Sequence, residues 1–143
     1  MANDLEKRMR EYYEAMSAPQ DVDKMASFLA EDCVHEDMGA GESWEGKETL
    51  VAYFEEFFQG TPDFNVEVSH IIVGEDGNWV VAEGIMSGTE TITYGGKTST
   101  GTYRIRMVDV VELHEGKIRR ESTYYDNVTF LRQVGVWPDE LSE

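Results

Sequence analysis

Three turn signals at nearly equal spacing constrain the second half of this chain more than any other feature. Glu75-Asp76-Gly77, Gly95-Gly96 and Glu115-Gly116 place their last glycines 19 and 20 residues apart. Between them apolar and polar residues alternate with a period of two, which is typical of β-strands joined by hairpins. From Asp63 onward the sequence therefore predicts four antiparallel strands, of which the middle two are about 17 residues long.

Strands of that length cannot remain flat in a chain of 143 residues. Each would extend roughly 55 Å at about 3.3 Å per residue, whereas a globular chain of this size has a radius of gyration of only about 14–15 Å. The sheet must therefore bend. Gly84, Gly88 and Gly101 are the positions where a kink or bulge costs least.

The first half of the chain has the helical spacing of apolar residues that lets a helix cover one face of such a sheet. Helices are predicted over 3–17, from about Asp21, over 47–59 and from Asn127 to Val134. Cys33-Val34-His35 is predicted as a short strand. The expected fold is a single α+β domain over residues 1–143, in which a curved antiparallel sheet wraps around the N-terminal helices and forms a cone with an internal pocket.

Charge and composition limit the partners that this chain can have. The net charge is −17, from 29 acidic and 12 basic residues, so nucleic acid and anionic membranes would be repelled. No apolar run approaches the roughly 18–20 residues of a membrane span. The first residues lack the apolar core of a signal peptide, so we expect a cytoplasmic protein. The single Cys33 is expected to be buried, and it is no metal site by itself.

The predicted hairpins give a register that can be tested for polar residues on the apolar face. A two-residue turn at Glu115-Gly116 sets Asp109 opposite Ser122 and Ile105 opposite Asp126. A three-residue turn at Gly77 adds His70 to the same face. An unpaired buried carboxylate costs several kcal/mol, so three ionisable groups on a core face indicate either a site or a satisfied network.

Structural roles are open for each of these three groups. His70 fits a hydrogen-bonded core or rim histidine. Asp109 could pair with a nearby arginine such as Arg120. Asp126 begins the last predicted helix, where a carboxylate caps free backbone amides.

Two stretches near the C-terminus resemble a known family. Gly116-Lys117-Ile118 followed by Tyr124-Tyr125-Asp126, and then Phe130-Leu131-Arg132-Gln133-Val134-Gly135, resembles the closing segment of SnoaL-like polyketide cyclases. Limonene-epoxide hydrolases look similar there, but residues 78–93 lack the arginine that their water-activating triad needs. Both belong to the cone-shaped, cystatin-like superfamily named for nuclear transport factor two and ketosteroid isomerase. The resemblance implies that Asp126 is an acid/base.

The first half resembles the ketosteroid isomerases of the same superfamily. Residues 28–37, from Phe28 to Asp37, look like the segment that ends in their proton-abstracting aspartate, which implicates Asp37. The oxyanion-binding tyrosine would fall on Tyr13. Val108-Asp109-Val110-Val111 resembles the strand that holds their neutral, hydrogen-bond-donating aspartate, so the resemblance also implicates Asp109.

The hypothesis that follows is cofactor-independent and metal-independent proton transfer next to a carbonyl group of a small, mostly apolar ligand, as in aldol cyclisation or double-bond isomerisation. In the cyclase version Asp126 is the base/acid and His35 or His70 assists. In the isomerase version Asp37 is the base, and Tyr13 and Asp109 donate hydrogen bonds. The expected apolar lining is Trp44, Tyr53, Phe57, Met86, Met107 and Tyr124.

The alternative hypothesis is a non-catalytic module of the same fold that binds a small ligand or dimerises. It predicts that Asp109 or Asp126 is exposed or salt-bridged and that no open cavity reaches both. In either case the resemblance implies a homodimer, since these sheets often pair by their outer faces. Arg104, Arg106, Arg119 and Glu121 are expected on that face.

Overall fold

The computed structural model describes residues 2–138, which form four helices and one six-stranded sheet. The helices are α1 (Ala2–Met16), α2 (Val22–Ala26), α3 (Lys47–Gly60) and α4 (Asn127–Val134). The strands are β1 (Leu29–Asp37), β2 (Glu42–Glu45), β3 (Asn65–Val73), β4 (Trp79–Tyr94), β5 (Lys97–His114) and β6 (Lys117–Tyr124). The sheet is curved and not closed, and its order is β2-β1-β6-β5-β4-β3. The predicted α+β class is confirmed.

Two of the three predicted hairpin turns have the expected length. Tyr94 pairs with Lys97, and His114 pairs with Lys117, so both turns contain two residues. The strands that they join, β4 and β5, are 16 and 18 residues long. The third connection, between β3 and β4, spans residues 74–78 and is longer than the predicted three-residue turn.

Gly84 is a point of close approach between β3 and β4. A Cβ atom at this position would lie 2.3 Å from the carbonyl oxygen of Glu67, so only glycine fits there. The pairing register of β3 shifts directly beside it, between Val68 and His70. This bulge bends the edge of the sheet, as the sequence predicted for Gly84.

Because of the same bulge, the predicted inward orientation of His70 is wrong. One extra residue in a strand reverses which side chains face the core. Ile71 and Val73 therefore pack against the core, whereas Ile72 is exposed. The His70 side chain is 70% exposed.

A second bulge, between Glu112 and Leu113, changes the predicted pairing of β5 with β6. Asp109 lies opposite Thr123 rather than Ser122. Glu121, expected on the outer face, is instead buried at 2% exposure, and Tyr124 is exposed. Glu121 therefore lies on the inner face, where Tyr124 was predicted, and brings a carboxyl group into the interior of the cone.

The strand β1 is longer than predicted and pairs with a neighbouring strand on each of its two edges. It pairs antiparallel with β2 and parallel with β6. Helix α2 ends at Ala26, and Leu29 begins this strand. A parallel pair between strands about 85 residues apart leaves no local signature in the sequence.

The helices α1 and α3 cover the concave side of the sheet, as predicted. Tyr12 and Tyr13 of α1 are 0% and 2% exposed, and Leu50 and Phe54 of α3 are also buried. Cys33 is buried as well. Helix α4 follows β6 and ends at Gly135, whose left-handed conformation closes the helix.

Candidate active site

The concave side of the sheet and the helices enclose a cavity of about 550 Å³. This volume is typical of sites for small organic molecules. Much of the wall is aromatic or aliphatic, and its apolar members include Phe54, Phe57, Phe58, Phe64, Met86 and Phe130.

Four of the six side chains predicted to form the apolar lining do line the cavity, namely Tyr53, Phe57, Met86 and Met107. Trp44 stacks on Tyr53 with ring centroids 3.9 Å apart and supports it from behind. Tyr124 points to solvent at 46% exposure because of the bulge in the β5–β6 pair. Its neighbour Tyr125 lines the cavity instead.

One polar cluster in the wall comes from three adjacent strands, β1, β6 and β5. The parallel register of β1 and β6 sets His35 beside Glu121 and Asp37 beside Thr123. The antiparallel register of β6 and β5 sets Thr123 beside Asp109. All five residues line the cavity, so strand pairing alone assembles a cluster of ionisable groups.

Asp109 is 1% exposed and is held by two hydroxyl groups. Tyr13 Oη donates to its Oδ2 atom at 2.7 Å, and Thr123 Oγ1 donates to its Oδ1 atom. Burial, then the charge of Glu121 and the hydrogen bond to Glu121, raises the pKa of Asp109 well above its usual value. The raised pKa favours the protonated form of Asp109, in which the carboxyl group donates a hydrogen bond to Glu121.

Glu121 is the ionised partner of Asp109. Tyr12 Oη donates to Glu121 Oε1 at 2.6 Å, and His35 Nδ1 lies 3.6 Å from the same oxygen. Burial opposes ionisation, but the charge of His35 and the hydrogen bonds from Asp109 and Tyr12 lower the pKa of Glu121 to about 2. Sequence reasoning missed Glu121, because regular alternation along β6 places it outside.

His35 connects this buried network to the cavity. The residue is 8% exposed and packs against the rings of Trp44 and Phe54. Its Nδ1 atom makes no hydrogen bond and faces Glu121 at ion-pair distance. Because the ring lines the cavity, Nε2 is the nitrogen available to a bound molecule.

A second set of polar side chains in the cavity wall surrounds Asp37 and Glu90. Tyr125 Oη donates to Asp37 Oδ2 at 3.1 Å, and the Ala40 amide donates to Asp37 Oδ1 at 2.9 Å. Glu90 accepts a hydrogen bond from the Tyr103 hydroxyl, and burial raises the pKa of Glu90. Tyr53 also lines this region, and burial raises the pKa of its hydroxyl.

Asp126 and His70 are not part of the cluster. Asp126 is exposed and caps α4 by accepting from the amides of Val128 and Thr129. The hydrogen bond from the Thr129 hydroxyl lowers the pKa of Asp126. His70 lies outside the cavity, with its Nδ1 atom 3.2 Å from Glu83. Tyr13 lies behind the wall and reaches the site only through Asp109.

The predicted pairing of Asp109 with Arg120 is not present. Arg120 pairs with Glu36 at 3.0 Å and not with Asp109. Within these residues no three His, Cys, Asp or Glu side chains are grouped as metal ligands. None of the described helices is both long enough and apolar enough to span a membrane.

Comparison with known proteins gives a family and a fold. The profile of the SnoaL-like domain family matches residues 9–121. No curated protein sequence matches with significance.

Several solved structures are similar over nearly the whole chain. A candidate polyketide cyclase from Xanthomonas campestris pv. campestris has a TM-score of 0.78 at 23% identity, covering 92% of this chain and 96% of that one. Another from Pseudomonas putida has a TM-score of 0.74 at 26% identity, covering 90% and 96%. A Catenulispora acidiphila protein with a ketosteroid isomerase-like fold, in complex with trimethylamine, has a TM-score of 0.76 at 15% identity, covering 95% and 97%.

Proposed function

Because the chain belongs to the SnoaL-like domain family, we propose that it is a cofactor-independent enzyme that transfers protons next to the carbonyl group of a small, mostly apolar molecule. The observation that supports this most directly is the pair of His35 and Glu121 in the wall of an apolar cavity. A histidine backed by a buried carboxylate is the arrangement of a general base.

In the proposed reaction His35 Nε2 removes a proton from the carbon beside the carbonyl. Histidine is the side chain best suited to exchange protons near neutral pH. The imidazolium that forms faces the carboxylate of Glu121, which is 3.6 Å away, and the charge of the imidazolium in turn lowers the pKa of Glu121. Tyr12 and Asp109 act as positioning residues, because their hydrogen bonds keep that carboxylate in place.

The electron pair of the broken C–H bond moves to the carbonyl oxygen and forms an enolate, which needs a hydrogen-bond donor. The Tyr53 hydroxyl is the proposed donor, since the ring lines the cavity and its hydroxyl makes no hydrogen bond within residues 2–138. Return of the proton to a different carbon completes an isomerisation. Attack of the enolate carbon on a second carbonyl group completes an aldol cyclisation.

This assignment differs from both versions expected from the sequence. Asp126 is exposed outside the cavity, which disfavours it as the base of a cyclase. The Tyr13 hydroxyl donates to Asp109, and the carboxyl group of Asp109 is hydrogen-bonded to Glu121. Neither group is directed to a ligand in the cavity, which disfavours both as donors to an enolate. Asp37 remains the rival base, because its carboxylate lines the cavity beside Tyr125.

Hydrogen–deuterium exchange tests the proposed chemistry without knowledge of the natural substrate. A 3-oxo-Δ5-steroid and a polyketide methyl ester would be incubated with the protein in D2O, and proton NMR would follow exchange and product formation. We expect His35→Gln to slow exchange at least about a hundredfold, the usual contribution of a general base. Retained exchange in His35→Gln together with its loss in Asp37→Asn would move the base to Asp37.

The second candidate is the non-catalytic ligand-binding module, which the exposed position of Asp126 favours. The cavity reaches Asp109 but not Asp126, as that hypothesis expects. Whether or not the two compounds bind, this hypothesis predicts that neither exchanges protons faster than it does in buffer alone. Exchange that depends on His35 would exclude it.

A further inference from the structure

Three carboxylates line the cavity without a matching positive charge. Asp37, Glu42 and Glu90 all line it and are called here the acidic rim. No lysine or arginine lines the cavity within residues 2–138. The ion pairs formed by those residues include none of the three rim carboxylates.

The acidic rim differs from the exposed carboxylates that give this chain its net negative charge. A fully exposed carboxylate is hydrated at little cost, but a partly buried one is destabilised unless a donor or a cation compensates it. Glu90 is only partly exposed and receives a single side-chain hydrogen bond, from Tyr103. Asp37 is likewise partly exposed.

Aromatic rings stand beside these carboxylates. Tyr125 contacts Asp37, and Tyr103 contacts Glu90. Tyr53 lies within electrostatic range of all three rim carboxylates. Carboxylates combined with ring faces are the recurrent surroundings of bound ammonium groups, because both present negative potential to the cation.

His35 independently indicates that the cavity is built to hold a ligand. The residue is more than nine-tenths buried and lines the cavity, and its Nδ1 atom lies 3.6 Å from Glu121 Oε1. Its other ring nitrogen, Nε2, makes no hydrogen bond within residues 2–138, and a polar atom of a buried side chain without a partner is costly in a protein that binds nothing.

We propose that the ligand of this cavity has a cationic ammonium group, protonated or quaternary, that sits between Asp37 and Glu90 against the rings of Tyr53 and Tyr125. The apolar remainder of the ligand then extends toward Phe57 and Met86. The inference rests on the proposed function only in treating this ligand as the substrate. Anionic ligands are excluded by the same carboxylates.

Calorimetric titration of the full chain with three matched probes tests the ligand class. Benzyltrimethylammonium is the cation, 2,2-dimethylpropylbenzene is its neutral isostere, and phenylacetate is the anion. We expect the cation to bind at least about tenfold more tightly than the isostere, and phenylacetate to show no measurable binding. Equal affinity for the cation and the isostere would overturn the proposal.

Charge-neutralising variants locate the contact. Glu90→Gln and Asp37→Asn should each weaken binding of the cation by about fivefold or more, with little effect on the isostere. Glu56→Gln removes the same charge from an exposed position of α3 outside the cavity and is the matched control. Equal losses in Glu90→Gln and Glu56→Gln would assign the preference to net charge alone and contradict the site.

These probes contain no carbonyl group, so binding is measured independently of turnover. If the cation is preferred but no variant-sensitive exchange is found, the ligand class stands and the proposed enzyme fails. If exchange depends on His35 but the cation is not preferred, only the ligand class fails.

Discussion

Asp109 and Glu121 are buried carboxyl groups on adjacent strands, and burial together with the charge of Glu121 raises the pKa of Asp109 well above its usual value. Each is within 2% of complete burial, and two negative charges in contact there would repel strongly. The pKa of Asp109 is the one that rises, because Glu121 alone faces His35 and accepts from Tyr12. The pair places the negative charge of Glu121 behind the imidazole.

The dependence of stability on pH should report the protonated state of Asp109. Its pKa is raised in the folded protein, so the stabilisation from its proton is complete below the unfolded pKa of about 3.9 and is lost as the pH rises toward the folded pKa. Between pH 5 and 7 the wild type should lose unfolding free energy relative to Asp109→Asn as the pH rises, by at most about 1.4 kcal/mol per pH unit. Urea unfolding at several pH values measures this difference.

The contribution of Glu121 to stability has the opposite dependence on pH. Its folded pKa of about 2 lies below the unfolded value, so its contribution is present above about pH 4.3 and is lost as the pH falls toward 2. Glu121→Gln should therefore change the acid limb of the stability profile and, because the charge of Glu121 helps to raise the pKa of Asp109, should also reduce the slope between pH 5 and 7. A flat difference between wild type and Asp109→Asn across that interval would show that Asp109 is ionised.

Removal of the Glu121 charge should slow catalysis without weakening substrate binding. In Glu121→Gln the imidazolium of His35 loses the carboxylate that lies 3.6 Å from its Nδ1 atom. We expect kcat to fall at least about a hundredfold while KM changes by less than about threefold, because the lost interaction belongs to the transition state. Steady-state kinetics with the compound that shows the fastest exchange measures both. A rise in KM with unchanged kcat would make Glu121 a binding residue only.

Much of the fold could be predicted from the sequence because its strongest signals are local. The turns at Gly96 and Gly116 and the period-two alternation indicated two long hairpins, and both are present. The two bulges could not be predicted, since one inserted residue costs little locally and is fixed by contacts across the sheet. The parallel pairing of β1 with β6 depends on the whole chain in the same way.

The side chains of the candidate site were predicted correctly where the strand register was correct, and wrongly where a bulge shifted it. Asp109 faces inward because it lies on the long β5 strand between the apolar residues Met107 and Val111, which are also buried. Glu121 and Tyr124 exchanged sides because the bulge lies between them and the turn from which the register was counted. His70 was misplaced by the other bulge. The catalytic roles of Asp37, Asp109 and Tyr13 stay predictions.

The close approach at Gly84 predicts an intolerant position in the sheet. Gly84→Ala would bring a methyl group against the Glu67 carbonyl oxygen and the Val68 Cα atom, and the strands would have to separate. We expect a loss of about 1–3 kcal/mol of unfolding free energy, as for overpacked interiors. Gly60→Ala is the control, because a Cβ atom there meets nothing within 4 Å. Equal stability of the two variants in urea unfolding would contradict this account of the bend.

Asp126→Asn separates the cavity-based assignment from the one implied by resemblance. Asparagine caps a helix as well as aspartate does, so the amides of Val128 and Thr129 keep their partner and the melting temperature should be unchanged. We expect proton exchange within about twofold of wild type, since the residue is exposed and does not line the cavity. Asp126→Ala should lower the melting temperature but keep the exchange. A large loss of exchange in Asp126→Asn with unchanged stability would return the acid/base role to Asp126 and overturn the assignment to His35.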